Sequence, residues 1–398
     1  MALQVSAGRA LSYRLWAQHL SGENRARDAV QAAAACGLQN SPPGAWEWAV
    51  ALRTGAQDAG ALRRALEEEK ALLQAWSIRG VPLIFPAGED EVFLAALAAQ
   101  PGEEPWIYTR GAELGLRFAH MGFDEALALV EKAAALLDGC TVRSKEALDA
   151  RLAEEAGAWL DEERRALWEA PSMYGAPDRQ TVGGAIVSFL LRPCAFRGRV
   201  VFGARCQRSP TFTSLRRWLG RAPHAAADGA RRLTEKYLHC YGPAAPGDFA
   251  AWLGATGAQA RRLWDAARDG MAPVTLEGKT RWMLARDMDA LQNAPAASGV
   301  LLLGAHDAWL DARDRALLLG DAALRRRVWP AVAAPGAVLQ NGQIAGVWTA
   351  RARGQKLDVR ASLWRAPDAA LEKGVRAQAE RYAAFRGLAL DACRVEVL

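Results

Sequence analysis

Across residues 231–284 the spacing of apolar positions changes from a helical to a strand period. Leu233, Tyr237 and Tyr241 recur every four residues, which predicts a helix ended by Gly242-Pro243. A short second helix follows over 248–253, with Asp248 as N-cap, Phe249, Trp252 and Leu253 on one face and Gly254 as its stop. A third, over 256–268, is capped by Thr256, buries Leu263 and Ala267, displays Arg261, Arg262 and Arg268, and breaks at Gly270. Residues 271–276 and 279–284 then read as strands joined at Glu277-Gly278. Three helices with an Arg-bearing third member and a cationic hairpin describe a winged helix-turn-helix, whose third helix enters a DNA groove while the hairpin lies over phosphates. The other reading is a small α+β module with an Arg-rich solvated face.

The same grammar is predicted twice more. Helices over 11–20, 25–35 and 44–53 precede strands over 71–78 and 81–85 that turn at Arg79-Gly80. Helices over 145–152, 155–168 and 181–191 precede a strand over 199–204, with Arg197, Arg205 and Arg208 close by. Repeated units of one kind read as a tandem array. A helical connector over 123–137 separates the first two units. Beyond Pro295 the pattern turns to strands: an apolar run over 300–303, a pair turning at Asn341-Gly342, and alternation over 347–363 around Gly354, covered by a helix over 367–385. The expected organisation is therefore helix-rich α+β, with a first unit over 1–100, a connector over 101–142, further units over 143–220 and 221–295, and a β-rich domain over 296–398.

Composition adds limits. Hydrophobic residues make up 51% of the 398 and charged residues 24%, enough to build cores and outside the disordered class. The net charge of +6 permits nucleic acid without requiring it. Only seven of the 50 basic residues are Lys, so the excess is Arg, a bias that either reflects a GC-rich, bacterial genome or serves phosphate contacts. The six cysteines contain no CxxC pair and the five histidines do not cluster, so no metal site is expected, and a reducing cytoplasm fits. Neither a signal peptide nor a membrane span is expected.

Several short stretches then occur in a telling order: Gly37-Leu38-Gln39-Asn40-Ser41-Pro42-Pro43, Trp76-Ser77-Ile78-Arg79-Gly80, Tyr241-Gly242-Pro243 with Asp248-Phe249, and the Gly342 hairpin with Gly346-Val347-Trp348. Together they make the chain resemble the AlkZ/YcaQ family of winged-helix DNA glycosylases over nearly its whole length. The resemblance implies three tandem winged helices in a C shape with a C-terminal β-barrel-like domain. It also implies a monofunctional glycosylase, without cofactor, that acts as a monomer near the nucleoid and hydrolyses the N-glycosidic bond of alkylated, including bulky or crosslinked, purine nucleotides.

Family members carry Gln-aliphatic-Gln or Gln-aliphatic-Asp in the turn between the second and third helices. Here Gln39 matches the first position, Asn40 replaces the aliphatic residue, and Ser41 replaces the second Gln or Asp. Ser41 cannot offer a carboxylate. This departure keeps a second class open, a non-catalytic DNA-binding regulator or damage sensor. Gln39 itself has two readings, a water-orienting amide or a helix-end amide capping carbonyls. Asp307, in His306-Asp307 near Arg313-Asp314-Arg315, is an active-site carboxylate or the partner of Arg313. Expected DNA contacts are Arg79, Arg197, Arg199, Arg261, Arg262, Lys279, Arg281, Arg351, Arg353 and Lys356.

Overall fold

The computed structural model describes residues 3–398 apart from 105, 175–178, 208 and 226, so Arg208 lies outside the described residues. The chain forms two compact units. One comprises residues 1–63, 234–252 and 267–398, the other 64–233 and 253–266. The fold is helix-rich α+β. Three helices precede a strand pair over 145–213 and over 229–284, whereas in the first stretch a fourth helix, Ala59–Glu67, which the pattern did not predict, comes before the hairpin.

In the first unit, helix Ala7–Ala17 starts at Ser6, whose hydroxyl accepts from the Arg9 amide. Helix Ala29–Cys36 starts at Asp28 and stops at Gly37, which holds a φ of 71°. Helix Ala45–Thr54 lies between two left-handed glycines, Gly44 and Gly55, so both of its ends are set by residues that adopt positive φ without strain. Strands Met271–Leu276 and Lys279–Leu284 form the hairpin expected from their alternation, and Leu3–Val5 adds to it in parallel. Tyr13, Ala17, Leu276, Met283 and Leu291 are buried together beneath this sheet. Helix Pro246–Leu253 begins two residues earlier than its pattern suggests, yet Asp248 still closes its start by accepting from the Ala245 amide at 3.0 Å.

The C-terminal part of this unit corrects the expectation of a barrel. Among the described residues it is an open five-stranded sheet, in the order Val300–Leu303, Gly336–Gln340, Gln343–Arg353, Lys356–Leu363, Ala389–Val397. The first and last strands do not pair with each other, so the sheet keeps two edges. The last pairing is parallel, and helix Ala369–Phe385 makes the connection.

The second unit contains hairpin Leu72–Trp76 with Pro82–Pro86, helices Phe123–Ala134, Lys145–Gly157, Glu162–Glu169 and Val182–Phe196, and strands Val201–Phe202 and Thr211–Thr213. Its core gathers Leu127, Val130, Leu148, Leu152, Trp168, Ile186 and Leu190. The break expected between helices over 145–152 and 155–168 lies later: the first runs Lys145–Gly157, and Asp161 caps the second, Glu162–Glu169. Helix Gly257–Asp265 also belongs to this unit: the Gln259 amide donates to the Leu97 carbonyl at 2.7 Å. Among the described residues no helix is long and apolar enough to cross a membrane.

Candidate active site

The turn from Gly37 to Gly44 joins two helices that are each anchored elsewhere in the first unit. On the near side, Lys236 Nζ reaches the Ala34 carbonyl at 2.5 Å, tying the last turn of helix Ala29–Cys36 to helix Gly229–Tyr241. On the far side, three contacts fix helix Ala45–Thr54. Trp48 Nε1 donates to the Leu302 carbonyl at 2.7 Å, Arg381 donates to the Ala51 carbonyl at 2.6 Å, and Arg53 forms a bidentate pair with Asp307, both bonds at 2.8 Å. Burial opposes charge on the Arg53 guanidinium, but Asp307 more than restores it, and its pKa lies above the ordinary Arg value.

Within the turn the three candidates have different environments. Asn40 is buried, and its Oδ1 accepts from the Gly44 amide at 2.6 Å, so the side chain is committed to closing the turn. Ser41 is half-buried and precedes Pro42 through a cis peptide. Gln39 is 9% exposed, yet its amide has no hydrogen-bond partner among the described residues and is not sealed from solvent. Of its two sequence readings, the carbonyl cap is therefore not realised. A semi-enclosed amide with free donor and acceptor can hold a water molecule by both functions.

Asp307 does not pair with Arg313. Its Oδ1 accepts from Arg53 and from the Trp309 amide at 2.9 Å and its Oδ2 from Arg53, with the carboxylate side chain 0% exposed. Asp314 likewise has a buried partner that the sequence did not indicate. Arg14 meets both its oxygens, at 2.9 and 2.6 Å, and also donates to the Gly242 and Pro243 carbonyls. The Tyr241 hydroxyl donates to the Ala308 carbonyl at 2.6 Å. The Tyr241-Gly242-Pro243 motif thus works as a structural junction.

The expected phosphate contacts divide. Arg79 is not an exposed turn residue: it is 7% exposed, with a φ of 58°, and the adjoining Gly80 lies where a Cβ would come within 3.2 Å of Arg192. Arg262 is held by Glu103 at 2.6 and 3.1 Å, and Arg197 by Glu131 at 2.7 Å. On the last hairpin, Lys356 pairs with Asp391 and Arg353 lies 3.8 Å from Asp358. Arg199, Arg261, Lys279 and Arg351 are exposed, Arg281 is half-buried, and none of these five has an ion pair among the described residues. No group of three metal-ligating side chains occurs among the described residues.

Comparison with known proteins places this geometry. A curated relative, an interstrand DNA cross-link repair glycosylase from Streptomyces sahachiroi, is 24% identical over 326 residues, covering 79% of each chain. The solved structure of Streptomyces sahachiroi DNA glycosylase AlkZ matches with a TM-score of 0.77 at 22% identity, over 99% of this chain and 100% of that one, a likeness of fold. The family model described as DNA glycosylase AlkZ-like matches residues 32–385, from the helix before the Gln39 turn to the end of the last helix, and the chain belongs to this family of DNA glycosylases.

Proposed function

We propose that this glycosylase excises alkylated purines, including bulky or crosslinked adducts, and that Gln39 positions the attacking water. The observation that carries the reading is the unpartnered, solvent-reachable amide of Gln39 in a turn whose two flanking helices are anchored. An N7-alkylated guanine already bears positive charge and departs as a neutral base, so the reaction needs little general-acid help. What remains is to orient water and tolerate an oxocarbenium-like sugar, tasks for preorganised dipoles. Asn40 is the turn's internal brace, and Ser41 contributes a hydroxyl in place of a longer side chain. Asp307 acts through Arg53: with each oxygen already accepting, it is a positioning carboxylate.

Helices followed by a strand pair, three helices in the later two stretches and four in the first, support a tandem of winged helices over 1–100, 143–220 and 221–295, with a connector over 101–142 and the sheet domain over 296–398. Arg199, Arg261, Lys279, Arg281 and Arg351 are the proposed phosphate contacts, because no acidic side chain among the described residues pairs with them. The protein is proposed to work as a cytoplasmic monomer, without cofactor, on double-stranded DNA. Purified protein is incubated with N7-alkylated and crosslinked duplexes, and abasic sites are cleaved by alkali. Strand breaks that depend on Gln39 are expected, and their absence on both substrates sinks the reading.

A further inference from the structure

The turn Gln39-Asn40-Ser41-Pro42-Pro43-Gly44 carries no charged side chain of its own. Glu47 stands in the first turn of the helix that follows, three residues past the N-cap Gly44. A Glu at that place ordinarily reaches back to the amide of the N-cap residue. Here the Gly44 amide already donates to Asn40, so capping it is not the task of Glu47. The carboxylate nevertheless lies against the turn: a Cβ on Gly44 would sit 3.8 Å from Oε2. The Glu47 side chain is 6% exposed, whereas that of its partner Arg63, which donates from Nε to Oε1 at 2.9 Å and from Nη2 to Oε2 at 3.3 Å, is 56% exposed. The helix dipole favours an anion at this end, and Arg63 holds its orientation. Water screens the cation far more than the carboxylate, so the turn keeps a negative potential.

We propose that Glu47 supplies the carboxylate of the site, stabilising the cationic sugar as the glycosidic bond breaks, and that Arg63 is its positioning residue. The inference rests on the reading of the Gln39 turn as the place of excision. In the step it supports, the bond between the sugar and the alkylated base breaks and its electron pair leaves with the base. The sugar is left positive, and a water adds to the anomeric carbon and gives its proton to solvent. Glu47 forms no bond and moves no proton; it acts through space on the charge that develops.

The test reads binding as well as rate. Duplexes carrying a pyrrolidine abasic mimic, a cation shaped like the reacting sugar, are compared with duplexes carrying the neutral tetrahydrofuran mimic. Wild type is expected to prefer the cationic duplex. Glu47→Gln is expected to lose about tenfold of that preference, the effect of one buried charge, with affinity for the neutral duplex unchanged. Single-turnover base release from N7-alkylated duplex should fall by a similar factor. Combining Glu47→Gln with Ser41→Asp, which returns a carboxylate to the turn itself, is expected to recover most of both losses, as a merely structural brace would not allow. Because Arg63 is solvated, Glu47→Gln strands no buried charge, and the melting temperature should stay within a few degrees of wild type. If that variant fails to fold, Glu47→Met serves in its place. A wild type without preference for the cationic duplex overturns the proposal. So does a preference that Glu47→Gln retains, or one that Ser41→Asp does not recover. Gln39→Ala is measured alongside: a wild-type rate of base release in that variant removes the Gln39 reading, while Glu47 is judged separately by binding.

Discussion

Arg53 and Asp307 face each other through two 2.8 Å hydrogen bonds, with side-chain exposures of 1% and 0%. The pair binds the helix that follows the Gln39 turn to the loop after strand Val300–Leu303. Its full burial means that removing one member strands the other charge. Asp307→Ala is therefore expected to lower unfolding free energy by about 3–5 kcal/mol, whereas Arg53→Met with Asp307→Leu recovers most of it. Denaturant midpoints of the single and double variants check this.

Gln39→Ala removes a turn side chain that, among the described residues, makes no internal hydrogen bond, unlike Asn40. Base release is expected to fall by about two orders of magnitude while the melting temperature stays within a few degrees of wild type. Single-turnover kinetics on N7-alkylated DNA, alongside calorimetry, separate the two effects. Ser41→Ala is expected to cost less than Gln39→Ala under the same conditions.

The cations should not be equivalent. Substituting Lys279 or Arg351 by Ala is expected to weaken duplex binding and reduce the slope of log affinity against log salt by about one each. Arg262→Ala should leave that slope unchanged, because Glu103 already neutralises this guanidinium. Binding isotherms at several salt concentrations decide the matter.

His239 gives the fold a pH signature. Burial opposes charge on the ring, but the 2.8 Å bond to Asp287 prevails and raises its pKa, while Asp287, opposed likewise by burial, is lowered by His239 and by the Tyr13 hydroxyl. Asp287 contributes stability above the unfolded carboxylate pKa and loses it as pH falls through its depressed value. His239 contributes fully below the unfolded imidazole pKa and loses it as pH rises through its elevated value. The melting temperature should decline as the solution passes upward through that elevated pKa, and His239→Gln should flatten the decline.

How much of this was legible in the sequence depended on distance along the chain. The hairpin at Glu277-Gly278 and the strands flanking Asn341-Gly342 were predicted to within a few residues, because alternation and turn residues are local signals. Strands Leu3–Val5 and Ala389–Val397 were missed: each pairs in parallel with a remote strand, and nothing nearby marks them. The same holds at the site. Gln39 stood out by its motif, but the Arg53 partner of Asp307 lies 254 positions away, and the nearby Arg313 was the natural misreading. Arg79 was placed at a turn correctly and its burial was not foreseen, since packing against a turn leaves no trace in the turn's own residues.

The first unit is assembled from residues 1–63, 234–252 and 267–398. On a ribosome this order has a temporal meaning. The Gln39 turn emerges early, but Lys236, Asp307 and the strand that pairs with Leu3–Val5 are synthesised only much later. The nascent N-terminal helices must wait for residues as far along as Asp307 before they are secured. A chain terminated before residue 307 carries the Gln39 motif without the Arg53–Asp307 contact that holds the following helix, so the anchored turn is a late product of an early segment.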